Sequence, residues 1–394
     1  MSNYQNNQTV YVNGIEGTLM KCPNKKEKKD YEFTLRELAG SMGDFGTLFP
    51  LVVSYIVVNG LDPAGLFIVL GLTNIMLGLI YRLPMPLQPK KIIAVTAITQ
   101  QWPPAQIYAS GFGLGMLWIV LSLTGLLKKI IKITPDFLVR GVQLSLACTL
   151  AWQAIQWMRT APMLGLVAIV VILLLRESRH APASIILMVL GFCIIYFTGD
   201  MPAEIPIVFS LPSIHIPRFA DIWQAMLLAG FAQIPLSITN AVIAPAALIR
   251  DYFPEKAVEE RKLMLNMGVM NVVGSFFSGM PMCHGAGGLA SQYYFGARTG
   301  GASILEGLIE IAIGLFLSQS IAKILAPFPM ALIAGMMIMV AIQLALPIRR
   351  LRGEELGLAI GTAIVSVFTN IGIGFIAGLA VTTIIRWMDG WKNK

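Results

Sequence analysis

The sequence predicts an all-α polytopic membrane protein with fourteen spans, arranged as two inverted repeats of seven. Its 394 residues are 56% hydrophobic and only 13% charged, whereas a soluble protein carries about 25% charged residues. The apolar residues form fourteen runs separated by polar or basic segments. Proline and glycine interrupt two of these runs at matching places in the two halves, which is typical of inverted-repeat membrane proteins.

Residues 1–30 are polar and lysine-rich, and we expect them to form a cytoplasmic tail, since they lack the apolar core of a signal peptide. Several of the apolar runs are shorter than the roughly 20 residues that a helix needs to cross the hydrocarbon layer. The 37 glycines suit close packing between helices. The runs lie at 38–59, 63–81, 89–101, 107–127, 136–157, 161–176 and 181–198 in the first half, and at 221–249, 260–278, 284–296, 301–320, 328–346, 354–369 and 371–388 in the second.

The basic residues predict the orientation of the chain. If the N-terminus is cytoplasmic, nearly all lysines and arginines between spans fall on the cytoplasmic side, as the positive-inside rule requires. We therefore expect both termini to lie in the cytoplasm, with the spans in the cell (plasma) membrane. The net charge of +8 follows from this bias and does not indicate nucleic-acid binding. Three basic residues remain at or near membrane depth: Lys90, Lys91 and Arg140.

The two interrupted runs carry the most specific pattern of the chain. Residues 84–91 read PMPLQPKK, and residues 279–288 read GMPMCHGAGG. Proline removes a backbone donor and favours extended backbone before it, so neither stretch fits inside an ordinary helix. We predict two broken spans, each an extended stretch followed by a half-helix, which begin their helices at about Pro89 and about Gly285 and meet at the midplane. The alternative is a pair of re-entrant loops that serve only packing.

A second pair of similar segments supports the repeat. Residues 135–142 and 329–336 each contain a proline and, six residues later, a glycine, with mainly aliphatic residues between them. Because seven is odd, two halves of seven spans have opposite orientations in the membrane. Two matching pairs in the same order therefore predict inverted repeats.

The half-helices predict an anion site. Each helix N-terminus carries free N–H groups and roughly half a positive charge, so two of them together supply roughly one. One positive charge is too little for a dianion, and Lys90 or Lys91 would supply the remaining charge. A lysine at the bilayer centre costs about 2.5–3.5 kcal/mol and therefore requires an anionic partner. Gly285, Gly287 and Gly288 would leave the second N-terminus open. His284 either donates a hydrogen bond there or has a structural role.

Polar residues on two further spans are candidates for the same site. Asp44, in the first span, is a functional candidate because carboxylates are rare in apolar helices, although it could instead reach cytoplasmic water. Gln233, Ser237 and Asn240 share one helical face of the eighth span. They either line a cavity, which the neighbouring Pro235 favours, or join helices by hydrogen bonds.

Other classes of chemistry lack a sequence pattern. No P-loop, zinc-protease motif or activated nucleophile is evident, so we predict no enzyme, no catalytic residue and no ATP-driven pump. The four cysteines have no metal-ligand spacing, so we predict neither a metal site nor a cofactor.

Four segments together resemble the molybdate transporter family, which is related to the sulfate permeases. They are residues 43–50 (GDFGTLFP), 84–89 (PMPLQP) with Lys91, 233–243 (QIPLSITNAVI) and 280–288 (MPMCHGAGG). The resemblance extends over nearly the whole chain from about Leu38. The chain differs from the family pattern at Lys90, where an apolar residue is expected. Nucleobase permeases have a similar fold but carry an acidic residue on the eighth span, where this chain has Gln233.

The resemblance implies a secondary active transporter that imports a tetrahedral oxyanion by alternating access, molybdate first and sulfate as the alternative. It implies a core domain (31–134 and 221–326) that moves against a gate domain (135–220 and 327–394). The expected partners are the oxyanion, the lipid bilayer, a coupling proton or sodium ion, and a second copy in a homodimer. A nucleobase permease, an uncoupled anion channel or sensor, and a structural membrane scaffold are the competing hypotheses.

The expected site combines the residue arguments with this resemblance. We expect Asp44 to carry a coupling proton or to balance Lys91. The substrate would contact residues from all four segments: Gly46, Thr47, Gln88, Lys91, Gln233, Ser237, Asn240, His284, Gly285, Ala286 and Gly287.

Overall fold

The computed structural model describes residues 9–12, 15–18, 29–125, 135–175, 183–202 and 204–392. Most of these residues are helical, and the remainder form four short strands and connecting segments, of which 204–218 is a long one. In the first half the elements are β1 (Thr9–Val12), β2 (Ile15–Thr18), α1 (Leu35–Ser41), α2 (Phe45–Val57), α3 (Pro63–Tyr81), β3 (Gln88–Pro89), α4 (Lys91–Thr99), α5 (Pro104–Thr124), α6 (Asp136–Met158), α7 (Pro162–Leu175) and α8 (Ala183–Thr198).

The second half repeats much of this order. A long helix, α9, runs from Phe219 to Tyr252 and contains two wider π turns, Met226–Gly230 and Ile238–Ile243. It is followed by α10 (Glu260–Phe276), β4 (Met282–Cys283), α11 (Ala286–Phe295), α12 (Gly300–Ala312), α13 (Met330–Ala345), α14 (Gly353–Phe368) and α15 (Ile371–Lys392). The helix begun by α12 continues through Ile313–Leu317 and Ser318–Leu325.

The membrane-spanning, all-helical fold class is confirmed. Within the described residues, seven helices are long and apolar enough to cross a membrane, and three more apolar helices are shorter. Every apolar run predicted from the sequence contains a helix. The full count of fourteen spans and their inverted orientation stay predictions.

The two interrupted segments meet, as the sequence predicts. Strands β3 and β4 pair antiparallel, with Gln88 opposite Cys283 and Pro89 opposite Met282. The backbone N–H of Lys90 extends this pairing by donating to the Pro281 carbonyl at 2.9 Å. The half-helices therefore begin slightly later than predicted, at Lys91 and Ala286 rather than at about Pro89 and Gly285. The strand pairing keeps the backbone extended up to those residues.

Polar side chains hold the outer edges of this two-stranded pairing. Asn271 of α10 donates to the Met282 carbonyl and accepts from the Met282 N–H, both at 2.8 Å. Ser303 of α12 accepts from the Met85 N–H at 3.1 Å. These bonds matter because unsatisfied backbone groups cost several kcal/mol in a membrane (about 2–7 kcal/mol).

Glycines allow two helix pairs to pack at close range. A Cβ atom on Gly71 of α3 would lie 2.5 Å from the Gly307 carbonyl oxygen of α12. A Cβ atom on Gly115 of α5 would lie 2.9 Å from the Gly268 carbonyl oxygen of α10. Small residues at such crossings are the usual means of close packing in membrane proteins.

The second pair of similar segments also has one structural role in both halves. Pro135 and Pro329 each stand in extended backbone immediately before a helix, α6 and α13 respectively. Proline is favoured near a helix start because its missing N–H needs no partner there.

The predicted polar tail is only partly described. Strands β1 and β2 form a small antiparallel hairpin within it. Asp30 then accepts from Arg82 at 3.0 Å and pairs with Lys256 at 2.8 Å. The hydrogen bond from Lys256, together with the charges of both bases, holds the pKa of Asp30 below its usual value. These contacts attach the start of the folded region to the loops that follow α3 and α9.

Candidate functional site

A cavity of about 320 Å³ lies beside the β3–β4 pairing. On one side it is bounded by the segment between α1 and α2, by β3 and α4, and by α9 and α11. On the other side it is bounded by α6 and α13. Its walls include seven of the predicted site residues: Asp44, Gly46, Thr47, Gln88, Lys91, Asn240 and Gly287.

Asp44 lies where the first span changes its winding. A short 3-10 turn, Met42–Asp44, separates α1 from α2. The Asp44 side chain is 4% exposed, and its Oδ1 accepts from the Gln88 amide nitrogen at 2.5 Å. Its Oδ2 has no hydrogen-bond partner among the described residues. Asp44 is therefore a buried part of the cavity wall.

The two adjacent lysines have different surroundings. Lys91 is half-buried and lines the cavity. Lys90 is fully buried, and its Nζ lies 5.7 Å from the centre of the Trp118 ring, a distance at which a cation and an aromatic face attract. Lys90 is the N-cap in extended backbone, whereas Lys91 is the first residue of the helix, and their side chains point to different surroundings. The lysine that faces the cavity is Lys91.

The second half-helix contributes less side-chain surface than predicted. Gly287 is exposed in the cavity wall, but His284, Gly285 and Ala286 are buried and are not among the lining residues. His284 packs edge-to-face with Tyr81, the ring centres 6.2 Å apart. Gly285 lies directly against the Gln88 side chain, where no Cβ atom would fit.

Gln233 and Ser237 form part of the support beneath the cavity. The Gln233 Oε1 accepts from the Ile92 N–H in the first turn of α4 at 2.9 Å, and its Nε2 donates to Ser237 Oγ at 2.9 Å. Both side chains are 1% exposed and neither lines the cavity. Gln233 thus satisfies one of the free N–H groups of the half-helix. Asn240 lines the cavity, Gln233 joins α9 to α4 by a hydrogen bond, and Ser237 bonds to Gln233 within α9.

The π turn explains why these three residues differ. The spacing argument assumes 3.6 residues per turn throughout the eighth span. The wider turn over Ile238–Ile243 begins directly after Ser237 and alters the facing of the residues within it. Such turns are frequent at functional sites. Asn240 and its neighbour Thr239 consequently reach the cavity together.

The wall formed by α6 and α13 was not predicted. It contributes Arg140, Gln143 and Gln343. Arg140 donates to Asp136 at 3.1 Å and to the Gln143 oxygen at 3.3 Å. A signal existed in the sequence, because Arg140 is one of three basic residues at or near membrane depth and Gln143 follows on the same helical face. What the sequence does not reveal is that α6 faces α4 across a cavity.

The lining residues have a positive balance of charge. Lys91 and Arg140 are cationic, and Asp44 is the single carboxylate among the lining residues. No group of three or more histidine, cysteine, aspartate or glutamate residues gathers to hold a metal ion in the part of the chain that the structure describes. The chemistry available is therefore that of anion binding by hydrogen-bond donors, cations and helix N-termini.

Comparisons with known proteins agree with this chemistry. A family model described as "Molybdate transporter of MFS superfamily" matches residues 36–150 and 225–344. Molybdate transporter 1 of Arabidopsis thaliana is 31% identical over 91% of this chain and 89% of its own length. Molybdate transporter 2 of the same plant is 32% identical, over 81% of this chain and 80% of its own length.

The fold also resembles a solved structure. The transmembrane domain of the cyanobacterial bicarbonate transporter BicA superposes with a TM-score of 0.63 at 15% identity, covering 87% of this chain and 97% of that one. At this identity the likeness shows the fold alone. With the family match over more than half of the residues, it follows that this chain belongs to the molybdate transporter family and is a transmembrane anion transporter.

Proposed function

We propose that this protein imports a tetrahedral oxyanion, most readily molybdate, by secondary active transport with alternating access. The observation that carries the proposal is the β3–β4 pairing, which brings the N-terminal ends of two half-helices to one cavity. In this proposal the anion is bound by Lys91, by Thr47 and Asn240, and by the open backbone at Gly287. Gln88 orients Asp44, while Gln233 and Gly285 keep the half-helices in place.

The charge balance of the cavity suits a dianion whose binding is linked to a proton. Two cations and one carboxylate give the lining a net charge of +1 when Asp44 is ionised, and +2 when it is protonated. Asp136, which pairs with Arg140 from outside the lining, offsets one of these positive charges. Protonation of Asp44 would therefore favour entry of a doubly charged anion. We propose Asp44 as a coupling residue on this basis, either as a proton carrier or as the partner of Lys91.

The cavity position also supports a division into two domains. We propose a core of residues 31–134 and 221–326 and a gate of residues 135–220 and 327–394, arranged as 7+7 inverted repeats with fourteen spans. The two close glycine crossings support the repeat, because α3 with α12 and α5 with α10 are corresponding pairs in two inverted halves. The cavity lies between the proposed domains, so movement of one past the other would alter access to it. We further propose cytoplasmic termini, a plasma-membrane location and a homodimer.

Competition binding tests the substrate. Purified protein is titrated with molybdate, and then with sulfate as competitor. Molybdate binding that sulfate displaces poorly is the expected result, and stronger sulfate binding would assign the protein to sulfate transport instead. Failure to bind either anion, together with binding of uracil or another nucleobase, would contradict the oxyanion proposal.

Asp44→Asn is expected to keep anion binding but to lose gradient-driven accumulation. The amide oxygen can still accept from Gln88, so the local geometry persists. The measurement is molybdate accumulation in proteoliposomes with an imposed pH gradient, with binding measured separately. The exposed Asp251→Asn variant is the matched control. Unchanged accumulation in Asp44→Asn would exclude a coupling role for Asp44. If the wild type takes up molybdate but no ion gradient makes it accumulate the anion above the outside concentration, the protein is a channel.

A further inference from the structure

Two glutamates of α12 lie in the protein interior and are not among the lining residues of the cavity. Glu306 and Glu310 are one helical turn apart and are 6% and 5% exposed. They lie on the helix that packs against α3 through the Gly71–Gly307 crossing, so water has little room to enter between the two helices. Carboxylates inside a membrane helix are rare and costly, which indicates a function.

The surroundings of this pair lack a compensating positive charge. Among the ion pairs of the described residues, none includes Glu306 or Glu310. From α3 the pair faces the neutral amide of Asn74, and from the segment between α1 and α2 Glu306 interacts electrostatically with Asp44. Two neighbouring buried carboxyl groups with a third nearby cannot all be ionised, because like charges in a low-dielectric interior repel strongly.

Asn74 satisfies one Glu310 oxygen with its side chain but leaves its own acceptor without a donor in the part of the chain that the structure describes. Its side chain is 1% exposed, and its Nδ2 donates to Glu310 Oε2 at 2.7 Å. Its Oδ1 and the Glu306 Oε2 both have no hydrogen-bond partner among the described residues. A buried acceptor without a donor costs about 1–3 kcal/mol. A carboxylic acid proton on the glutamate pair would supply the missing donor.

From this arrangement we propose that Glu306 and Glu310 form a buried proton-binding site, whose proton is exchanged during anion transport. Its use in transport rests on the proposed function, whereas its existence does not. Asp44 is the carboxyl group that both lines the cavity and interacts electrostatically with Glu306.

A structural connection to the anion site is present. Ser303, one turn before Glu306, accepts from the Met85 N–H at 3.1 Å and donates to the Met85 carbonyl at 3.4 Å. Met85 belongs to the extended stretch that leads into β3 and α4. Glu306 therefore lies one helical turn from the residue that holds the Met85 backbone, and this backbone leads to Gln88 and Lys91. A change in the charge of Glu306 would occur close to that contact.

Calorimetry of molybdate binding in buffers of different ionisation enthalpy tests the proposal, because it counts the protons taken up with the anion. The variant is Glu306→Gln with Glu310→Gln, which keeps side-chain volume, and the exposed Glu354→Gln is the control. We expect the wild type and the control to exchange protons with the buffer when the anion binds, through Asp44 and the glutamate pair. The double variant keeps only Asp44 of these three carboxyl groups, so its proton uptake per anion should be clearly smaller than that of the wild type. Equal proton uptake in the wild type and the double variant would overturn the proposal.

Two further measurements separate the possible failures. In proteoliposomes with the membrane potential clamped, one coupled proton and a gradient of one pH unit sustain about tenfold accumulation, which the double variant should lose. Accumulation driven by sodium alone would overturn the proton assignment. If the wild type binds no oxyanion, the proposed function fails, but the pH dependence of the unfolding temperature still tests the proton site. Identical pH profiles for wild type and double variant would then contradict it.

Discussion

Lys91→Gln is expected to weaken molybdate binding about tenfold to a hundredfold, because a charge-assisted hydrogen bond contributes about 1.5–3 kcal/mol. Lys91 is one of two cations that line the cavity, and the other, Arg140, is already bonded to Asp136 and Gln143. Glutamine keeps much of the side-chain length but removes the charge. The fold should be unaffected, since Lys91 is half-buried and begins α4 without supplying a cap.

Isothermal titration of the purified variant measures this loss. Arg218→Gln is the matched control, because it removes one positive charge from an exposed residue outside the cavity lining. The control should bind like the wild type at moderate salt, where distant surface charges are screened. Equal affinity in Lys91→Gln and Arg218→Gln would show that the anion binds elsewhere.

Gly288→Ala is expected to destabilise the protein by about 1–3 kcal/mol, the usual cost of overpacking a closed interior. A Cβ atom at this position would lie 2.6 Å from Asp44 Oδ2 and 2.8 Å from the Pro86 Cβ. Both neighbours belong to segments that other bonds hold in place, so neither can yield freely. Displacing Asp44 would also disturb Gln88, and we expect anion binding to fall with stability.

Gly287→Ala provides the comparison, because the Cβ atom of residue 287 would meet nothing within 4 Å. This variant should keep its unfolding temperature close to that of the wild type. Any loss of molybdate affinity would then come from the methyl group in the cavity wall. The unfolding temperatures of both variants are measured in the same detergent. Equal stability of the two variants would contradict the close packing of Gly288 against Asp44.

The sequence predicts best those features that depend on local backbone chemistry. The broken spans follow from proline, which cannot donate a backbone hydrogen bond, and the structure begins both half-helices within two residues of the predicted starts. Asp44, Gln88 and Lys91 could be selected because polar groups in apolar runs are costly. Their contact in one cavity required only that the two broken spans meet.

Features that depend on the relative placement of distant helices escaped prediction. Arg140 reads as an isolated arginine until α6 is seen opposite α4. The positions of Gln233 and Ser237 beneath the cavity depend on where a π turn begins, which periodicity does not reveal. Glu306 and Glu310 were visible as two glutamates four residues apart in an apolar run, yet their importance depends on Asn74 and on the absence of a compensating cation around them in the described structure.

The β3–β4 pairing has a consequence for the order of assembly during synthesis. The backbone of Met85 is satisfied by Ser303, which lies 218 residues further along the chain, and the Lys90 N–H is satisfied by Pro281. The first broken span therefore enters the bilayer before the groups that complete it have been made. Until α12 is inserted, its polar backbone must be sheltered by water, by neighbouring helices or by the insertion machinery. The lining residues of the first half therefore cannot assemble until the second half has been inserted. The anion cavity is one of the last parts of the protein to be completed.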